Sequence, residues 1–156
     1  MSNLPIPAAI PASPTAERTA LTGPLFSSLP LPPAALANLQ QLGYERMTPI
    51  QAASLPLALA GKDVIAQAKT GSGKTAAFAL PLLANLNPSA GMAVQALVLC
   101  PTRELAEQVT QEIRRLARAE DNIKTLTLCG GATMRPQIAS LAHGAHIVVG
   151  LSLIHI

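Results

Sequence analysis

The sequence predicts an α/β fold, a parallel sheet flanked by helices, and three observations carry that prediction. Apolar runs of strand length alternate with segments of helical period along most of the chain. Ala96–Cys100 (Ala-Leu-Val-Leu-Cys) is continuously apolar, the pattern of a strand covered on both faces. A glycine-rich loop, Ala66–Thr75, stands between the apolar run Val64–Ala66 and a helical pattern running from Gly73 towards Leu86.

Taken in order, Met1 to Pro24 is rich in Pro, Ala, Ser and Thr without either period, so residues 1–24 are expected to be a disordered tail. Pro32-Pro33 then introduces a helix from Ala34 to Leu42, with Leu36, Leu39 and Leu42 on one face and Gly43 just past its end. Thr48-Pro49 repeats the start signal, a hydroxyl cap followed by proline in the first turn. That second helix runs to about Ala60, stops at Gly61 and carries Pro56 as a predicted kink. Val64–Ala66 is the expected strand ahead of the loop. Asn87–Gly91 is a turn before the strand at Ala96–Cys100. Thr102 caps a helix whose stripe is Leu105, Val109, Ile113 and Leu116, with Glu104, Glu107, Glu112, Arg114, Arg115 and Arg118 on a solvated face. A strand over Thr125 to Cys129 ends at Gly130-Gly131; a short helix from Pro136 to Ala142 and a fourth strand from His146 to Val149 follow.

Composition narrows the classes. With 156 residues, 49% of them apolar, the chain can build one real core. Phe26, Tyr44 and Phe78 are the only aromatic residues, so that core rests on Leu, Ile, Val and Ala. A formal charge of +3 permits a nucleic-acid partner without requiring one. No apolar run approaches the roughly 18 residues of a membrane span, and no secretory signal opens the chain, so no membrane role is expected. Cys100 and Cys129 each end an apolar run and read as reduced thiols in a cytoplasmic protein. With His143 and His146 they fit no common zinc spacing.

The loop Ala68-Lys69-Thr70-Gly71-Ser72-Gly73-Lys74-Thr75 is a phosphate cradle by its chemistry. Glycines let main-chain N–H groups approach a polyphosphate, and the helix that follows aims its unpaired N–H groups at the same anion. Lys74 adds positive charge near the terminal phosphates, and the Thr75 hydroxyl suits Mg²⁺. Ala68 stands where the usual pattern has its first glycine.

Four segments in order then give the chain a family resemblance: Gly43-Tyr44-Glu45-Arg46-Met47-Thr48-Pro49-Ile50-Gln51, the phosphate loop beginning at Ala68, Pro101-Thr102-Arg103-Glu104-Leu105-Ala106, and Gly130-Gly131. From Phe26 to Gly150 the chain resembles the first RecA-like domain of DEAD-box RNA helicases, which write the phosphate loop with that alanine. The wording Leu-Cys-Pro-Thr-Arg-Glu-Leu-Ala and Leu-Thr-Leu-Cys-Gly-Gly is most similar to the bacterial DbpA subfamily. The implied fold is a RecA-like P-loop NTPase domain, present in part, over residues 25–150.

The resemblance implies ATP and Mg²⁺ as cofactors and RNA as partner. Lys74 and Thr75 become the catalytic pair, with Ala68 to Thr75 around the phosphates. Gln51 would read adenine, since a carboxamide offers a donor beside an acceptor to the N6 and N7 edge. Tyr44 and Thr48 belong to the same stretch, although a helix cap alone accounts for Thr48. Phe26, seventeen residues before Gly43, stands where the family stacks an aromatic on the base; packing on the first helix is its alternative. Pro101, Thr102, Arg103 and Glu104, with Gly130 and Gly131, would hold the RNA backbone, giving sequence-independent, salt-sensitive binding. A capped helix and a plain turn are the alternatives there.

The Asp-Glu-Ala-Asp strand, the Ser-Ala-Thr segment and the second RecA-like domain of the family are not found in these 156 residues. The chain therefore reads as an N-terminal part of an ATP-dependent RNA helicase, inactive in turnover by itself, with ribosomal RNA reached through C-terminal parts. A DNA-directed helicase or translocase and an inert nucleotide-binding fragment are the alternatives. Leu151–Ile156 can be encoded by a transposon end used as a sequencing adapter, and 151–156 is expected to be such a scar; a genuine apolar terminus extending the fourth strand is the other reading.

Overall fold

Ile147-Val148-Val149-Gly150-Leu151 is the most apolar strand of the chain, and it takes the centre of the sheet. The computed structural model describes residues 23–152 apart from 121 and 132. Within it, β1 (Ala96–Cys100), β2 (Thr125–Leu128) and β3 (Ile147–Leu151) form a three-stranded parallel sheet in the order β1-β3-β2. Ala96 stands beside Ile147 and Cys100 beside Leu151, while Thr125 and Leu128 stand beside Ile147 and Gly150. A central parallel strand has no solvent face, which is why Ile147 to Gly150 are all buried.

Among the described residues five α-helices accompany the sheet: α1 (Pro33–Gln41), α2 (Pro49–Leu59), α3 (Lys74–Ala84), α4 (Arg103–Leu116) and α5 (Met134–Ala142). The α4 helix buries Ala106, Val109, Ile113 and Leu116 and keeps its charges on the other face, with Arg114 and Arg115 in the last turn where the helix dipole favours cations. Its final carbonyls are capped from outside. Asn38 on α1 donates through Nδ2 to the oxygens of Arg115 (3.2 Å) and Leu116 (2.8 Å), which explains a buried asparagine amid apolar neighbours. One core then unites Phe26, Leu39, Leu55, Ile113, Ile147 and Val149, all essentially inaccessible to solvent. Each such side chain is worth about 1.5–3 kcal/mol of burial.

Several sequence expectations are corrected. Val64–Ala66 forms no strand, and Ile65 is fully exposed. A strand needs a ladder partner, and the outer edge of β1 is likewise unpaired among the described residues. Nor is β1 covered on both faces: Leu97 and Leu99, which share one face of the strand, are 64% and 60% exposed. Leu105, above that open edge, is exposed at 38%, and Ala106 is buried in its place. The third strand stops at Leu128 rather than Cys129, whose main chain bonds a side chain instead. The last helix starts at Met134, two residues earlier than predicted, and β3 extends to Leu151. Leu151 closes β3, and the Ser152 N–H just after it donates to Cys100 O at 2.8 Å. The tail expected over 1–24 lies outside the described residues except for Gly23 and Pro24, as do residues 153–156. Among the described residues no helix is long and apolar enough to cross a membrane.

Candidate nucleotide and nucleic-acid site

The phosphate loop owes its shape to two glycines in the left-handed region, Gly71 (φ +79°) and Gly73 (φ +86°). Gly73 is doubly constrained, because a methyl group there would collide with the Gln51 carboxamide. Directly after it, Lys74 opens α3 and folds its ammonium back over the loop, donating to the carbonyls of Ala68 (2.5 Å) and Lys69 (2.6 Å). An ammonium has three protons, so one remains for an anion in the cradle. The Ser72 hydroxyl is buried there without a protein partner. Lys69, Thr70 and Gly71 are exposed, and Lys74 and Thr75 line a cavity of about 540 Å³ that reaches to Asp63 and Cys100.

The segment 43–51 grips this loop by hydrogen bonds. Thr48 donates through Oγ1 to Ser72 O (2.8 Å), and Gln51 donates through Nε2 to Gly73 O (3.1 Å). Gln51 Oε1 accepts the Thr48 N–H at 2.9 Å, the return half of a capping box at the start of α2. Gln51 is 1% exposed yet borders a cavity of about 330 Å³ shared with Tyr44, Thr48, Gly73 and Arg115. With one amide proton and one lone-pair position left, its carboxamide retains a donor and an acceptor for a further partner.

Phe26 is not at that cavity. It is 2% exposed and packs edge-to-face with Tyr44, ring centroids 5.7 Å apart. Tyr44 is the aromatic that lines the cavity. Its phenol donates to Glu112 Oε1 at 2.8 Å, and Glu112 Oε2 faces Arg115 Nη1 at 3.4 Å. Burial first, then the hydrogen bond to Glu112 and its negative charge, push the Tyr44 phenol up to about 12, against a smaller lowering by Arg115. By helical period Glu112 and Arg115 belong to the solvated face of α4. Their spacing of three marked an ion pair, but nothing local pointed to a tyrosine 68 residues away.

The second predicted cluster assembles where strands end. Pro101 and Thr102 follow β1, and Gly130 and Gly131 follow β2, so both groups lie beyond the carboxyl edge of the sheet, the usual place for ligands in open α/β sheets. Thr102 caps α4, its Oγ1 accepting from Leu105 N at 3.2 Å. Glu104 sits in the first turn, where an acidic side chain suits the dipole. Arg103 reaches over to Gly131: a Cβ on that glycine would stand 2.9 Å from Arg103 Nη1. Gly131 also has φ +76°, a backbone conformation in which a side chain would be strained, whereas the Arg103 guanidinium could itself swing aside. Cys100 and Cys129, beside these loops, are both free thiols, and burial above all pushes the Cys100 thiol up, keeping it neutral.

With this geometry in place, comparison with known proteins is decisive. The family model for DEAD/DEAH box helicases matches residues 48–153. The chain belongs to the DEAD/DEAH box helicase family. Among DEAD-box relatives, the ATP-dependent RNA helicase DbpA of Escherichia coli K12 is 62% identical over 125 residues, which cover 80% of this chain and 27% of that protein. CshA of Streptococcus pneumoniae (TIGR4), a DEAD-box ATP-dependent RNA helicase, is 46% identical, covering 80% and 24%. A solved DEAD box protein from the hyperthermophile Methanococcus jannaschii superposes with a TM-score of 0.75 at 41% identity, over 81% of this chain and 34% of that one. The sheet and helices are therefore part of a DEAD-box RecA-like domain, and the chain spans about a quarter of the length of the curated relatives it matches.

Proposed function

We propose that this chain is the nucleotide-binding part of an ATP-dependent RNA helicase, a protein that hydrolyses ATP while opening short RNA duplexes in the cytoplasm. The observation that carries the proposal is the pair of hydrogen bonds from Thr48 and Gln51 to Ser72 and Gly73. They fasten a purine-reading segment to a phosphate loop, so base and triphosphate are read by one rigid unit. The E. coli and S. pneumoniae relatives are named ATP-dependent RNA helicases.

In this proposal the amides from Gly71 to Thr75 receive the phosphates and the Lys74 ammonium shifts part of its bonding from the Ala68 and Lys69 carbonyls to phosphate oxygens. Thr75, at the start of α3, would hold Mg²⁺ together with the nucleotide, the ion neutralising charge on the phosphate oxygens. The free donor and acceptor of Gln51 take the adenine edge, and Tyr44 supplies the apolar wall. Arg103, with Gly131 against it, binds an RNA phosphate, while Pro101, Thr102, Glu104 and Gly130 shape the surface around it. Such contacts ignore sequence, so a preference for ribosomal RNA would come from other parts of the longer protein.

Titration with a fluorescent ATP analogue, followed by labelled single-stranded RNA with a DNA competitor, tests the proposal. ATP bound in preference to GTP, with RNA that DNA fails to displace, is the expected result. Equal affinity for both nucleotides, or displacement of RNA by an equal amount of DNA, contradicts it. The 156-residue chain should show no steady ATP turnover, because it contains no Asp-Glu-Ala-Asp segment.

A further inference from the structure

Cys129 is the residue at which β2 leaves the sheet and the Gly130-Gly131 turn begins, and its main chain is held by a single side chain. Gln137 Oε1 accepts the Cys129 N–H at 3.2 Å, and Gln137 Nε2 donates to the Cys129 carbonyl at 3.0 Å. A primary amide presents donor and acceptor in one plane, as a peptide group does, so Gln137 stands in for the neighbouring strand that this edge position lacks.

The clamp ties Gln137, in the first turn of α5, back to Cys129 at the end of β2, across the Gly130-Gly131 turn. Between those two residues lie the two glycines and the Arg103 contact. The α5 helix buries no residue of its own, so apolar packing contributes little to fixing its approach to β2. The Gly130 and Gly131 amides thus follow a segment held twice over, by the β2 ladder at Leu128 and by Gln137 at Cys129. Gly130 has open space around it and Gly131 a left-handed backbone, a pairing with little stiffness of its own.

We propose that Gln137 is a positioning residue for RNA binding, holding the Gly130-Gly131 turn against Arg103 without itself touching RNA. The inference rests on the proposed role of that turn in RNA binding. Glutamine is the only residue that satisfies the clamp: glutamate accepts but, when ionised, cannot donate; methionine keeps the length and loses both bonds; asparagine is one methylene too short.

The test uses the full chain with Gln137→Met and Gln137→Glu, read by anisotropy of a labelled oligouridine and of a fluorescent ATP analogue, and by amide exchange over residues 128–133. Loss of two modest hydrogen bonds should weaken RNA binding about tenfold. ATP-analogue affinity should stay unchanged, and exchange at Cys129 to Gly131 should accelerate. On an Arg103→Ala background the effect of Gln137→Met should shrink to less than about twofold, because the two act through one contact. RNA affinity unchanged in both variants, a parallel loss of ATP-analogue affinity, or full additivity with Arg103→Ala overturns the inference while the RNA assignment stands. A wild-type chain that fails to bind RNA at low salt overturns the assignment, and the inference with it.

Discussion

The Tyr44 phenol and the Glu112 carboxylate meet at 2.8 Å, joining the wall of the base-sized cavity to the middle of α4. The same helix carries Arg103 in its first turn, about 13 Å away at the usual rise per residue. One rigid element therefore touches both halves of the candidate site. Removing the hydroxyl with Tyr44→Phe should cost about 1 kcal/mol of stability, measured by urea unfolding at neutral pH. No loss at all would mean the bond contributes nothing net.

The same bond has a pH signature. Below pH 10 the phenol is protonated in folded and unfolded chains alike, so its contribution is complete. Between pH 10 and about 12 only the unfolded chain gives up the proton, and stability should fall as pH rises through that window. Since Tyr44 is the only tyrosine, the Tyr44→Phe protein should show a shallower alkaline decline, read from urea midpoints across the window.

Much of this site was legible beforehand. The loop from Ala68 to Thr75 announced itself because its chemistry is local: glycines, lysine and threonine in consecutive positions before a helix. Thr48-Pro49 and Thr102 gave two helix starts within a residue for the same reason, each being a cap. What failed was non-local. Val64–Ala66 has the composition of a strand, but pairing decides a strand, and composition cannot supply a partner. The burial of Phe26 against Tyr44 likewise depends on tertiary packing, which spacing along the chain does not report. The Gln137 clamp and the Asn38 cap were invisible because each reaches main-chain atoms that carry no side-chain signal.

Asn38 offers a stability test free of ligands. Asn38→Ala leaves the carbonyls of Arg115 and Leu116 without their buried partner and should destabilise the fold by about 1–3 kcal/mol. Urea midpoints of the two proteins check this, and equal midpoints would show that water replaces the cap.

The open edge of β1 should make the chain self-associate. Leu97 and Leu99 expose large apolar side chains on a strand that carries neither charge nor proline. Sedimentation velocity should show concentration-dependent association that Leu97→Lys with Leu99→Glu suppresses. A strictly monomeric wild-type chain at high concentration would contradict this.

The central claim is that the loop before α3 receives the triphosphate of ATP with Lys74 as its charged contact. Equilibrium binding of a labelled ATP analogue to wild-type and Lys74→Ala chains tests it most directly. Loss of charge-assisted hydrogen bonds should weaken binding by at least about tenfold. Equal affinity of the two proteins would contradict the account.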